Sequence, residues 1–84
     1  MMKIQVRYFA SLREALGAQE TVELPAGSTL GALRDVLLER GGRHAEVLAP
    51  QRPVRCALNQ VMVAETTVIE DGAEVAFFPP VTGG

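Results

Sequence analysis

Residues 74–84 read EVAFFPPVTGG. The first five form a short apolar strand, and Pro79 ends it, because proline cannot donate to a β-ladder. Phe77 and Phe78 are adjacent, so a strand sends them to opposite faces of its sheet. Beyond Phe78 nothing in the segment can build a core, and the chain finishes on Gly83 and Gly84. The fold therefore has to bury its last strand while leaving the end of that strand open.

Bulk properties narrow the options. The 84 residues make one domain, and a domain this size buries roughly 60–65% of its unfolded surface. Apolar residues make up 48%, enough for a packed core. The net charge is -2, with both signs interspersed, so no basic stripe exists to hold nucleic acid. No apolar run reaches the ~20 residues of a membrane span. The opening MMKIQVRYFA reads as a strand, with no signal-peptide pattern, and the expected location is the cytoplasm.

Upstream of the last strand, KIQVRYF alternates, with Ile4, Val6 and Tyr8 on one face. In SLREALG, Ser11 precedes Glu14 by three residues, which predicts a capping box on a short helix ending at Gly17. ETVELP is a second strand with Val22 and Leu24 inward, closed by Pro25. Ser28 or Thr29 caps the helix TLGALRDVLLER, where Leu30, Leu33, Val36 and Leu37 form one apolar stripe. Gly41-Gly42 stops it. Residues 43–53 read as a connection with at most one helical turn around Ala45 to Leu48, and His44 as a surface residue within it. VRCALNQ is a third strand with Val54, Cys56 and Leu58 on one face; Asn59-Gln60 turns it into VMV. Asp71-Gly72 marks the turn before the last strand.

This order predicts an α+β fold of the ubiquitin-like β-grasp type: a mixed sheet, one long helix packed on one face, and a flexible Gly-Gly tail. The last strand then pairs beside the first, in the centre. Residues 1–78 form the domain and 79–84 the extended tail.

The chain carries little chemistry of its own. Cys56 and His44 are each the sole residue of their type, so no disulfide, zinc cluster or nucleophile–base pair can be assembled. No phosphate-cradling loop is present, so no cofactor and no metal are expected on the chain. Arg7, Glu70 and Asp71 read as a solvated face. The tail is different. Glycine has no Cβ, so Gly83-Gly84 fits a narrow tunnel and offers an unhindered terminal carboxylate. Pro79 and Pro80 hold the tail extended, which lowers the entropy lost on insertion. Val81 and Thr82 add anchoring contacts. A carboxylate needs activation before it can react, and a partner must supply the ATP for that step. For docking, Phe78 and Met62 are the expected exposed pair, with Val81 along their edge.

VRYFASLRE, TLGALRDVLLER, ALNQ and above all DGAEVAFFPPVTGG resemble the MoaD-like small subunits of molybdopterin synthase, over essentially the whole chain. Ala73 departs from the acidic residue that the family often has after the Asp-Gly turn. The resemblance implies a sulfur carrier in molybdenum cofactor biosynthesis that is no enzyme alone. Gly84 would be adenylated by a ubiquitin-activating-type adenylyltransferase, converted to a thiocarboxylate with sulfur from a separate donor, and inserted into the large synthase subunit. There it would give sulfur to cyclic pyranopterin monophosphate. A carrier for thiamine synthesis or tRNA thiolation, a protein modifier like ubiquitin, and a non-catalytic β-grasp binding module remain open alternatives.

Overall fold

The computed structural model describes residues 1–49 and 54–79. Five strands form one sheet: β1 (Met2–Tyr8), β2 (Gln19–Leu24), β3 (Arg55–Leu58), β4 (Val61–Met62) and β5 (Glu74–Phe78). Three helices, α1 (Ala10–Leu16), α2 (Leu30–Glu39) and α3 (Gly42–Leu48), accompany them. The sheet order is β2-β1-β5-β3-β4, so the last strand is central. β1 and β5 run parallel, with Val6 opposite Val75 and Tyr8 opposite Phe77. All other pairs are antiparallel. Two backbone bonds extend the parallel pairing at its ends: Gln5 N–H to Ala73 O and Phe9 N–H to Phe77 O, at 3.0 and 3.1 Å.

Alternation decides which face is buried. Ile4, Val6, Tyr8, Val22, Leu24, Val75 and Phe77 point to the core, where Leu30, Leu33 and Leu37 of α2 cover them. Val36 packs on the edge of that stripe, half-buried. Phe77 is 1% exposed and stacks against Tyr8, with ring centroids 6.3 Å apart. Burying a ring this completely contributes ~1.5–3 kcal/mol. The Thr29 hydroxyl caps α2 by accepting the Ala32 N–H at 3.1 Å.

Among the described residues three helices stand where the sequence predicted a short one and a long one packed on the sheet. The capping box in SLREALG does not form. α1 starts two residues earlier, with Phe9 at the cap position and no side-chain cap. Because Phe9 is tethered to Phe77 by its N–H, its carbonyl is free to accept from the Leu12 and Arg13 N–H groups. Ser11 therefore falls inside the helix. The larger correction is α3, two turns where the sequence predicted at most one. Leu48 is fully buried and drives its docking.

The turns follow their residue chemistry. Asn59 and Gln60 both have positive φ, +49° and +71°, as a two-residue hairpin loop of type I′ demands. Gly72 has φ +81°, and its N–H reaches Lys3 O at 3.0 Å while Asp71 Oδ1 accepts the Lys3 N–H at 2.8 Å. This turn registers the start of β5 against β1. Ala73 is buried in the core there, so its small side chain suits a site closed to water.

Candidate functional site

The open face of the sheet carries the residues that the core face rejects. Register places Arg7, Ala76, Ala57 and Met62 in one row across β1, β5, β3 and β4. The neighbouring row holds Phe78 opposite Arg55, with Phe9 continuing β1 beside it. Phe78 and Met62 thus share this face, separated by β3. Met62 is 52% exposed, whereas Phe78 is half-buried, less open than the sequence suggested. Phe9, 40% exposed, was not assigned to this face, although it ends the alternating segment KIQVRYF. The Arg7 guanidinium sits 5.5 Å from the centre of its ring.

Pro79 follows β5 at the rim of this face, half-buried. The chain therefore leaves the sheet beside Phe9, Phe78 and Arg55. The expected tail residues Pro80, Val81, Thr82, Gly83 and Gly84 lie outside the described residues.

The remaining polar groups are structural. Arg34 is buried on α2, 6% exposed. It donates to the carbonyls of Leu48 and Ala49 at 2.7 Å each, and to the Glu65 carboxylate at 2.9 Å. Those carbonyls are the unsatisfied end of α3. A single arginine fork thus holds α3 onto α2, which is why a segment weak in helical signal is helical. His44 is on α3, half-buried, and not on a surface loop. Its Nε2 lies 2.9 Å from Glu20 Oε2, and a carboxylate only accepts, so His44 donates. Tyr8 donates to the same oxygen at 2.7 Å, and Arg40 pairs with the other one. Burial, and secondly the Arg40 guanidinium, hold His44 below its ordinary pKa. Burial pushes the Tyr8 hydroxyl up to about 12 against a smaller opposing effect of Arg40. The cluster pins α3 and the end of α2 to β2, and contains no group poised for chemistry.

Cys56 is a buried thiol, 5% exposed, whose Sγ donates to Val63 O at 3.7 Å. Burial first, then Glu65, raise its pKa, partly offset by Arg34. A buried thiol is what its place in an apolar run leads to. Among the described residues, no group of His, Cys, Asp and Glu could hold a metal ion, and no helix is long and apolar enough to cross a membrane.

A parallel β1–β5 pair, an α2 crossover and a last strand at the centre of the sheet define a ubiquitin-like β-grasp protein. Comparison with known proteins narrows that class. The chain belongs to the ThiS family, whose model matches residues 6–84. The molybdopterin synthase sulfur carrier subunit of Escherichia coli is 40% identical, over 96% of this chain and 99% of that protein. The subunit of the same description from Mycobacterium tuberculosis is 41% identical over the whole of both. A Haloferax volcanii protein known from its solution structure superposes with a TM-score of 0.83, at 28% identity, covering 99% of this chain and 87% of that one. Subunits 1 and 2 of the molybdopterin-converting factor from Helicobacter pylori have been solved as a complex. A chain of that complex matches with a TM-score of 0.71 at 26% identity, over 99% of this chain and 100% of that one.

Proposed function

We propose that this chain is the sulfur carrier subunit of a molybdopterin synthase, working in the cytoplasm. One observation carries the reading: end-to-end similarity to sulfur carrier subunits, in a chain whose central strand runs straight into PPVTGG. The reacting group is the carboxylate of Gly84. An activating enzyme binds ATP; the carboxylate attacks the α-phosphorus and pyrophosphate leaves. Sulfur supplied by the donor at the oxidation level of hydrosulfide then displaces AMP, and a thiocarboxylate remains. Its sulfur is ionised and soft at neutral pH, which makes it a good nucleophile toward cyclic pyranopterin monophosphate. Water then cleaves the thioester so formed, the sulfur stays on the pterin, and the carrier returns as the plain carboxylate.

On this reading the roles divide simply. Pro79 and Pro80 stiffen the exit from β5, Val81 and Thr82 anchor the tail in the large subunit, and Gly83 and Gly84 occupy its narrowest part. Phe78 and Met62 dock the domain. The large subunit supplies the substrate pocket and acid–base groups; the domain supplies a rigid base for the tail.

The test is mass spectrometry after incubation with activating enzyme, ATP and a sulfur source. Exchange of one oxygen for sulfur nearly matches methionine oxidation, and the chain has three methionines, so fragment ions must place the change on Gly84. A chain lacking Gly84 should melt like the intact protein and acquire no sulfur. An unmodified Gly84 in the presence of active loading enzymes would refute the carrier reading. Transfer to a thiamine or tRNA acceptor, and not to the pterin, would keep the carrier and replace the pathway.

A further inference from the structure

We propose that the open face of the sheet selects its protein partner by charge: Arg7 and Arg55 flank an alanine-floored trough that fits an apolar side chain set between carboxylates. This deepens the docking role just described and rests on it.

The trough follows from register. Ala76 is opposite Arg7 on one side and Ala57 on the other, and Ala57 is opposite Met62. Two methyl side chains therefore lie side by side at the middle of the face. Ala57 is only 7% exposed, yet it is absent from the core cluster under the helices. Register sets longer side chains beside it on the open face. Phe9 and Phe78 stand on the tail side, and Met62 on the β4 side. A partner side chain of moderate size can enter there and bury apolar surface on three sides.

The charges are arranged unevenly. The chain is net negative, but the two charged residues nearest the tail on this face are arginines. Lys3, Glu23 and Glu74 lie toward the opposite end of their strands. Among the described residues the Arg55 side chain has no hydrogen bond or ion pair. Arg7 comes no closer than 3.9 Å to Glu74, with both side chains well exposed, a separation that leaves its fork free to re-pair. A guanidinium fork matches a carboxylate in bidentate geometry, and its flat face already lies over Phe9. A neutral partner would have to cover Arg55 without pairing it, which is unfavourable. Complementary charge of this kind acts mainly on the association rate and on the choice of partner.

The test uses the full chain and the purified large synthase subunit, followed by stopped-flow association at about 20 mM and 300 mM NaCl, where the screening length differs several-fold. Arg7→Glu with Arg55→Glu should slow association on the order of tenfold or more at low salt and much less at high salt. Lys3→Glu, reversing a charge away from the trough, should change it less than about twofold. Phe78→Ala should speed dissociation at both salt concentrations. Circular dichroism melts should match wild type for both charge variants, since the three substituted residues are all exposed. If the double arginine variant associates like wild type while Phe78→Ala dissociates faster, the face docks without charge selection and this proposal fails alone. If the wild-type chain does not bind the large subunit, the docking reading fails and takes this one with it.

Discussion

Replacing Arg34 by methionine should cost this protein a large part of its stability without touching the tail. The Arg34 side chain is 7% exposed, and its Nε and Nη2 groups each donate at 2.7 Å to a carbonyl at the end of α3. Methionine fills a similar volume but donates nothing. A hydrogen bond to a charged group contributes about 1.5–3 kcal/mol, and losing both leaves two poorly hydrated acceptors, so the loss is about 3–5 kcal/mol. The contact with Glu65 adds little, because that carboxylate is 44% exposed and regains water. A domain of this length has on the order of 4–13 kcal/mol in total. At about 4–8 °C per kcal/mol, the melting temperature should fall by roughly 15–30 °C. Urea denaturation followed by circular dichroism measures it, and amide exchange should show α3 opening first. Arg34→Lys keeps the charge but not the fork, and should recover about half the loss. If Arg34→Met stays within about 1 kcal/mol of wild type, the arginine does not hold α3, and the explanation for that helix is wrong.

Two further expectations follow from the same structure. His44 has a lowered pKa in the folded state, so on acidification the unfolded chain binds its proton first. Its contribution is complete above the ordinary histidine value of about 6.5 and declines as pH falls from there toward the folded-state pKa. His44→Gln should flatten that part of the stability–pH profile; an unchanged slope would mean that another group titrates. Gln60 holds φ +71° in the β3–β4 turn, where a side chain costs roughly 1–2 kcal/mol. Gln60→Gly should therefore raise stability by up to about 1 kcal/mol in urea titrations, after the entropy glycine loses on folding, and a loss would show that the Gln60 side chain makes a contact that matters more.

Local chemistry made much of this fold legible. Ile4, Val6 and Tyr8 alternate, and they face the core. Thr29 caps the helix whose leucines repeat at helical spacing. Asn59 and Asp71-Gly72 turn where their backbone preferences allow. The central position of the last strand followed from an apolar strand that ends in a bare tail. The candidate site was legible only in part. That Phe77 and Phe78 part to opposite faces is a matter of period, but the row that joins Arg7, Ala76, Ala57 and Met62 exists only once four strands are in register.

The sequence alone determined the features that depend on neighbours a few residues apart: strand period, helix stripe and turn residues. Tertiary structure decided those that depend on distant groups. The helix at 42–48 has few apolar residues, and its end is held by an arginine fourteen residues away from Leu48. His44 is half-buried because it, Tyr8 and Arg40 converge on the Glu20 carboxylate from three parts of the chain. The capping box at Ser11 lost to a backbone bond between Phe9 and Phe77. A short helix settles its ends by whatever hydrogen-bond partners the packed chain brings to them, and no local pattern records those partners.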